Sequence, residues 1–490
     1  MLKRWLPVAG LAAILGLAVL LYAPSLSFYF VADDFYHLEI AGRIHGLADL
    51  IPRLRGYCTR VDRPATDLLF WAVRTIGGLQ PILYRSCVLA IHVINVLLAF
   101  VLVRSLARRL DTGGQVGERA QGPRAQALPS ELSMSLAVLA AVLVVALHPR
   151  QHDAVVWLGA VSWPLGTAFS LVATLCYVAW REKGPRLWLA GAAAALVLAM
   201  LSNPASAILP AIFAAYDLLQ RRVDGEAVLA WAGLLVIAGL LVANCGQALL
   251  PSSTNPASYG LRLSGVSRYA AFLAYIVWPA PPDLRAVLTA TPLVGYAALA
   301  VTLAAIGALG LVILARGTLL ARWGIVWTLL ALLPPSFFGA YAGDHYMSLA
   351  LVGVALACGG LVLGLDARWL RVAVVLALAW IAFVTPQIVM KVGDWRVASE
   401  LSAAVRDETL ARYPQVADGT RFFYIDLPAS VNRCWVLSAG IDSAVRVWYN
   451  NPTIGARKNV HYGTASTPAK QDLILDFSGR WPFAARQTIE

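Results

Sequence analysis

Charge is the property that this sequence has least of. Only 13% of its 490 residues are Asp, Glu, Lys or Arg, about half of the roughly 25% found in an average soluble domain. Hydrophobic residues make up 59% of the chain, and its mean hydropathy is +0.68. This balance excludes an ordinary soluble globular protein and predicts a polytopic membrane protein.

Paired cysteines and phosphate-binding glycine loops are missing as well. The six cysteines show neither close pairs nor the spacing of a metal site. Only Cys58 and Cys434 fall clearly in polar segments, where they could form a disulfide if both segments are extracytoplasmic. Because the sequence has no Gly-rich phosphate loop, we expect no nucleotide cofactor. The net charge of +12 does not indicate a nucleic-acid partner, since most basic residues lie at the ends of apolar runs.

Long apolar runs predict a polytopic α-helical membrane protein with about eleven transmembrane helices. The first run follows Lys3 and Arg4 and lacks a clean small-residue cleavage site, so it suits a spanning helix better than a cleaved signal peptide. The predicted spans are residues 5–27, 82–103, 132–147, 160–180, 187–201, 205–219, 227–249, 289–315, 324–338, 347–365 and 371–389.

Basic loops predict the orientation of these spans. With the N-terminus in the cytoplasm, every cytoplasmic loop holds at least two Lys or Arg residues, as the positive-inside bias requires. The chain would then be a multi-pass protein of the cytoplasmic (inner) membrane. Three polar regions would face the extracytoplasmic side: a long first loop (28–81), a short turn (147–157) and the tail from about residue 390.

These extracytoplasmic regions predict structure of their own. In the first loop Ile40, Ile44, Leu47, Ile51 and Leu54 recur every three or four residues, which is typical of short amphipathic helices, lying either on the membrane surface or on the ends of the spans. Segment 250–287 has an apolar middle too short to cross the bilayer and suits an interfacial or re-entrant element.

The tail predicts a small mixed α/β extracytoplasmic domain. Residues 395–414 have a helical pattern, and "RFFYIDLP", "CWVLSAG" and "AVRVWYNNP" look like strands. We therefore divide the chain into a membrane domain (1–389) and a C-terminal domain (390–490).

Two adjacent acids follow the first span. Asp33 and Asp34 lie one or two residues beyond it, beside an Arg-rich loop. A carboxylate near the lipid headgroups carries a cost in free energy, so solvated loop charge is a weaker explanation here than catalysis or metal binding.

Several short motifs resemble, in order and in predicted topology, the membrane glycosyltransferases of the C superfamily, which include protein O-mannosyltransferases and the aminoarabinose transferase of lipid A. The likeness covers most of the chain. The motifs are "ADDFYHL", "DRPATDLLFW", "LHPRQHDAVVW", "RYAAFLAYIVWP", "GDHYMSLALVG" and "FFYIDLP". Three positions depart from the pattern: Asp153 replaces a Glu, Asn203 and Pro204 replace a Lys-Glu pair, and His345 replaces an Arg. These changes put the identity of the donor, or the activity itself, in doubt.

The resemblance implies an enzyme that moves a sugar from a polyprenyl-phosphate-linked donor to an acceptor hydroxyl of a protein, lipid or glycan at the outer face of the membrane. It implies a general base in the first loop, for which we favour Asp33 over Asp34. Phosphate-binding candidates are Arg63, in the family-like "RP" segment, and its neighbour Arg60.

The second turn and the ninth loop supply the remaining candidates. Asp153 would hold a divalent cation (Mg²⁺ or Mn²⁺) together with Asp34, or would orient the acceptor. The further substrate-binding candidates are His148, Trp157, Asp344, His345 and Tyr346. His148 could equally cap a helix, and Trp157 could be an interfacial aromatic residue.

Two other functions compete with this one. A transporter or flippase of lipid-linked sugars would place ionisable residues near the bilayer midplane and show internal repeats, whereas these acids gather at one face. A non-catalytic relative is the second alternative, which the departure at Asn203 and Pro204 suggests.

Overall fold

The computed structural model describes residues 2–55, 63–113, 131–182, 184–243, 264–278, 291–338, 343–437, 440–458 and 473–477. Helix predominates. The α-helices are α1 (Leu2–Tyr22), α2 (Asp34–Gly42), α3 (Ile51–Arg55), α4 (Pro64–Gly77), α5 (Pro81–Gly113), α6 (Glu131–Leu147), α7 (His152–Val156), α8 (Ser162–Arg181), α9 (Leu187–Ser202), α10 (Leu209–Leu219), α11 (Gly225–Ala243), α12 (Gly265–Val277), α13 (Pro292–Arg316), α14 (Leu319–Ala331), α15 (Leu333–Phe338), α16 (Ser348–Leu363), α17 (Ala367–Arg412) and α18 (Ile441–Tyr449). Short 3₁₀ helices cover Ala23–Ser27, Leu47–Leu50, Pro149–Gln151, Leu158–Ala160, Pro204–Ile208 and Asp344–Met347.

The prediction of a polytopic helical membrane protein is confirmed, but the number of spans differs. Eight helices within the described residues are long and apolar enough to cross a membrane, or nine if α6 and the segment Pro149–Val156, bent by 47°, form one broken span. The runs 187–201 and 205–219 were predicted to span the membrane. The helical segments found there, Leu187–Ser202 and Pro204–Leu219, are both shorter than a spanning helix of about 20 residues. A 16-residue helix is about 24 Å long, against a hydrocarbon core of about 30 Å.

Glycines allow α14 and α16 to pack with their backbones in contact. A Cβ at Gly324 would lie 2.3 Å from the backbone nitrogen of Ala357, and one at Gly360 would lie 2.2 Å from that of Ala321. Small residues at such crossings are typical of membrane helices, where close van der Waals packing stabilises association. This packing holds α16, and with it the 3₁₀ turn Asp344–Met347 that precedes it.

The first loop is helical, as predicted. Ile40 and Ile44 are buried, which corresponds to packing on the rest of the protein. Leu47 and Ile51 instead leave more than half of their side-chain surface exposed, as helices on a membrane surface do. Helix α4 was not predicted, and α12 is a 13-residue helix, too short to span, as expected for part of segment 250–287.

Helix α17 crosses the predicted domain boundary at residue 390. It runs for 46 residues without a break, which is about 69 Å and more than twice the membrane core. Its C-terminal half holds the segment before Asp33, because Ser399 Oγ accepts from the amide of Tyr29 at 2.6 Å and Ser402 Oγ donates to the carbonyl of Phe30 at 2.7 Å. The boundary predicted from composition therefore falls inside one continuous helix, four residues after its internal Pro386.

Beyond α17 the chain forms a small α/β unit. A parallel three-stranded sheet has the order β4–β1–β5, and β2 pairs with β3 in an antiparallel hairpin. The strands are β1 (Arg421–Ile425), β2 (Ser430–Val431), β3 (Cys434–Trp435), β4 (Gly455–Lys458) and β5 (Leu473–Asp476). The segment "AVRVWYNNP" was predicted as a strand and is helical instead, in α18. Cys434 is buried and unbridged, and Cys58 lies outside the described residues.

Candidate functional site

Contacts from the α/β unit fix the turn of the chain before Asp33 and Asp34, which we call the corner. Ala32 has a positive φ of 43°, and its amide donates to the carbonyl of Val436 at 2.7 Å. Gly440, at a φ of +101°, approaches so closely that a Cβ there would lie 2.2 Å from the carbonyl oxygen of Ala32. The small α/β unit thus fixes where α2 begins. We call the end of the helix bundle that carries this corner the site face.

Asp34 is an anchor of this corner. Its side chain is fully buried, and it accepts from the amides of Val31 at 2.9 Å and Gly159 at 2.7 Å. Burial raises the pKa of Asp34 to about 6, although Arg85, 4.0 Å away, acts in the opposite direction. The arrangement joins α2, α5 and the 3₁₀ turn at Gly159 through one carboxylate.

Arg85 completes the anchor and was not predicted from the sequence. Its guanidinium donates to the carbonyls of Phe28 at 2.7 Å, Tyr29 at 2.6 Å and Val156 at 2.5 Å. The side chain is buried. A buried guanidinium with three carbonyl acceptors holds the first loop against the second turn.

Asp33 differs from its neighbour in exposure. It is partly exposed and occupies the N-cap position of α2, yet its side chain makes no capping hydrogen bond. Gly159 lies beneath it: a Cβ there would be 3.1 Å from the Cβ of Asp33 and 2.8 Å from Nε1 of Trp157. Nε1 of Trp157 has no hydrogen-bond partner among the described residues, although only 5% of this side chain is exposed. A buried indole donor without a partner beside a carboxylate is suited to a polar ligand.

The turn after α6 brings a second group of polar residues to the site face. Nδ1 of His148 accepts from the amide of Arg150 at 3.2 Å, so the predicted capping role is the one that this geometry favours. Arg150 donates to Oδ1 of Asp344 at 2.7 Å and to the carbonyl of Trp278 at 3.1 Å. It also lies 4.0 Å from the centre of the Tyr275 ring. The cation is therefore fixed on three sides.

Asp153, His152, Asp344 and His345 form the centre of this group. Nε2 of His152 lies 2.9 Å from Oδ1 of Asp153, and its Nδ1 lies 3.7 Å from Oδ2 of Asp344. Nδ1 of His345 lies 3.6 Å from Oδ2 of Asp153. The structure therefore brings together Asp153, Asp344 and His345, which the sequence placed in two separate loops.

Aromatic rings join this cluster to Asp33. Trp157 meets His345 edge-on at 5.3 Å and stacks on Trp395 at 5.8 Å between ring centres. Tyr346 is buried against Trp163 at 4.8 Å, so it contributes packing. The rings form a continuous wall from Gly159 to the acidic cluster.

Helix α17 adds residues that the sequence analysis missed. Nε1 of Trp395 donates to Oδ1 of Asp153 at 3.2 Å. Lys391, only 9% exposed, lies 3.5 Å from Asp394. These residues are spaced at i, i+3 and i+4 and share one helical face, but the helical pattern predicted from the sequence began only at residue 395.

Only one of the two predicted phosphate-binding arginines lies within the described residues. Arg63 precedes α4, and its Nη1 donates to the hydroxyl of Ser162, at the start of α8. Arg60 lies outside the described residues.

Asn203, one of the positions that depart from the family pattern, has a structural role. It is buried and its Oδ1 accepts from the amide of Ala205 at 3.0 Å, so it caps the turn that follows α9.

The cluster has the donor set of a divalent-cation site. One ligand atom from each of His152, Asp153 and Asp344 lies within 4.8 Å of the other two. Nδ1 of His152 lies 2.7 Å from the carbonyl of Pro149, an arrangement that in metalloproteins leaves Nε2 for the metal. Asp34, predicted as a ligand together with Asp153, is not in this group, because its oxygens serve backbone amides.

His152 can exchange a proton for a cation. Its Nδ1 lies near a carbonyl oxygen and its Nε2 near a carboxylate. Burial lowers the pKa of His152, but the carboxylates of Asp153 and Asp344 outweigh it and raise the pKa overall, which favours the protonated ring. A divalent cation would have to replace the proton on Nε2. Metal binding at this site would therefore release a proton and would strengthen as the pH rises.

The fold and composition define a polytopic helical membrane protein with a polar site at one end of its helix bundle. Comparison with protein-family models gives no match to the chain, and comparison with curated proteins gives none either.

Proposed function

We propose that this protein is a glycosyltransferase of the cytoplasmic membrane. It transfers a sugar from a polyprenyl-phosphate-linked donor to an acceptor hydroxyl at the extracytoplasmic face, with its N-terminus in the cytoplasm. One observation carries the proposal: Asp33, a partly exposed carboxylate on an anchored corner, lies beside the unpartnered indole nitrogen of Trp157. The adjacent cluster of cations and acids fits a reaction in which an anion leaves.

Asp33 is the general base in this proposal. The acceptor O–H gives its proton to the carboxylate of Asp33 while its oxygen bonds to the anomeric carbon of the donor. The bond from that carbon to the phosphate oxygen breaks, and the electron pair leaves with the polyprenyl phosphate. Asp34 positions the corner, since its oxygens already accept two backbone N–H groups. Nε1 of Trp157 offers a hydrogen bond to a sugar oxygen.

Fixed cations stabilise the leaving phosphate. The candidates for this role are Arg63, its neighbour Arg60, and Lys391. The guanidinium of an arginine offers two parallel donors to phosphate oxygens. Arg150 is bound to Asp344, so it orients that acid. His152, Asp153 and Asp344 would hold a divalent cation, which when bound supplies a Lewis acid for the phosphate.

The transporter alternative has less support. The charged residues described above lie at the site face, whereas a transporter would carry its ionisable groups at the bilayer midplane. A coupled proton or ion pathway needs such groups in series across the membrane.

Sugar transfer from a panel of polyprenyl-phosphate sugars tests the proposal directly. The purified full chain in nanodiscs is compared with Asp33→Asn, and donor binding is measured alongside transfer. We expect Asp33→Asn to bind donor normally and to lose transfer by about a hundredfold or more. Turnover of no donor by the wild type, or an unchanged rate in the variant, would refute the role of Asp33.

A further inference from the structure

A second polar cavity lies away from the acidic cluster, between the first loop and the α/β unit. Its volume is about 320 Å³, within the range of small-ligand pockets. Helix α2 forms one wall with Tyr36, Glu39 and Arg43, and α18 forms the opposite wall with Asp442 and Arg446. Arg53 of α3 closes one side.

Asp33 precedes α2 on the same helical face as the residues of α2 that line the cavity. The less buried residues from the N-cap to the C-cap of this helix are Asp33, Tyr36, Glu39, Gly42 and Arg43, whereas the positions between them are buried. Spacings of three and four residues place these side chains on one stripe. At 1.5 Å per residue the stripe rises about 15 Å from Asp33 to Arg43. An elongated molecule in the cavity would therefore reach the proposed base with its end.

Three arginines and two acids line the cavity, and the buried Asp67 behind the lining pairs with the third arginine. Arg446 lies 3.3 Å from Glu39 and 2.6 Å from Asp442, and Arg43 pairs with Glu39. Arg53 lies 3.0 Å from the buried Asp67. Because each guanidinium already has a carboxylate partner, the cavity is poorly suited to an anion. It offers N–H donors, carboxylate acceptors and the Tyr36 ring, a combination that suits a ligand rich in hydroxyl groups.

We propose that this cavity binds a carbohydrate chain and presents its terminal hydroxyl to Asp33, so that the acceptor is a glycan. The assignment of the bound chain as acceptor rests on the function proposed above. Charged side chains arranged in pairs can serve the vicinal hydroxyls of a sugar, one group donating and the other accepting. The aromatic ring supplies an apolar surface for a sugar face.

Equilibrium binding without any donor tests the cavity separately from catalysis. The full chain in nanodiscs is titrated with trisaccharides of mannose, glucose, galactose and N-acetylglucosamine. We expect at least one of them to bind, and Glu39→Gln and Arg43→Gln to weaken it by about tenfold or more, since each removes a charged hydrogen-bonding group. The matched control is Arg412→Gln, which breaks an i,i+4 pair with Glu408 of the same kind on α17. It should change the affinity by less than about twofold.

The outcomes separate the two proposals. Binding that depends on Arg43 without sugar transfer supports the cavity and refutes the transferase. Transfer that Glu39→Gln and Arg43→Gln leave unchanged supports the transferase and refutes the cavity as the acceptor site. If none of the trisaccharides binds more tightly than about 10 mM, or if only a Ser/Thr-rich heptapeptide binds, the carbohydrate assignment is wrong.

Discussion

The strongest prediction separates the two adjacent acids, because Asp33 and Asp34 have the same chemistry and opposite environments. Asp34→Ala leaves the buried amides of Val31 and Gly159 without acceptors, at about 1–3 kcal/mol each. It also deprives the buried Arg85 of its carboxylate, a further loss of about 3 kcal/mol.

A gain offsets part of this loss. Burial raises the pKa of Asp34 from 3.8 to about 6, so keeping it ionised in the folded protein at pH 7 costs about 3 kcal/mol, which the alanine variant recovers. The free energy of unfolding should therefore fall by about 2–6 kcal/mol. Asp33→Asn, an isosteric change at a partly exposed position, should lower it by less than about 1 kcal/mol.

Thermal unfolding in nanodiscs measures this difference, and the transfer assay supplies the second readout. We expect Asp34→Ala to lower the apparent Tm by about 2–6 °C, and Asp33→Asn to retain the wild-type Tm while losing transfer. The reasoning fails if Asp34→Ala is as stable as the wild type, or if Asp33→Asn unfolds early. Either result would mean that the roles of anchor and base are assigned to the wrong acids.

Three further predictions concern pH, space and metal. Because the pKa of Asp34 is raised from 3.8 to about 6 on folding, its contribution to stability is fully present below the unfolded pKa and is lost as the pH rises through about 6. The difference in stability between the wild type and Asp34→Asn should therefore shift by about 2.4 kcal/mol between pH 4 and pH 7.5 in thermal unfolding. A constant difference would contradict this. Gly159→Ala places a Cβ 2.8 Å from Nε1 of Trp157, so we expect a loss of about 1–3 kcal/mol in stability and at least about a tenfold loss of transfer. The affinity for Mn²⁺, measured by electron paramagnetic resonance, should rise about tenfold per pH unit while His152 is protonated. The variant His152→Ala should lose this pH dependence. An unchanged pH profile in the variant would show that His152 is not a ligand.

Local patterns predicted the helices but not where they end. The apolar runs identified the membrane helices from their composition and placed a break between 187–201 and 205–219, where Asn203 and Pro204 start a 3₁₀ turn. Composition did not show that the helices on either side are too short to be spans. The segment "AVRVWYNNP" was predicted as a strand. The buried residues include Ile441, Ala444 and Val445, which follow a helical period once the start at Gly440 is known.

The candidate site depends on contacts that sequence order does not reveal. Asp33 and Asp153 were identified because each lies in a motif, and the structure joins their surroundings through Gly159 and Trp157. Trp395 and Lys391 carried no such motif. Their part in the site follows from α17 continuing past the membrane, which no local pattern specifies.

Helix α17 positions both parts of the candidate site. Because α17 is continuous, the indole that donates to Asp153 and the hydroxyls that hold Tyr29 and Phe30 belong to one rigid rod. The corner at Asp33 and the acidic cluster are thus positioned by the same element, and the α/β unit contacts Ala32 from the other side. A displacement of the α/β unit would therefore move the corner at Asp33 relative to Asp153. In the proposed mechanism, a glycan bound between α2 and α18 would act on the proposed base through this contact.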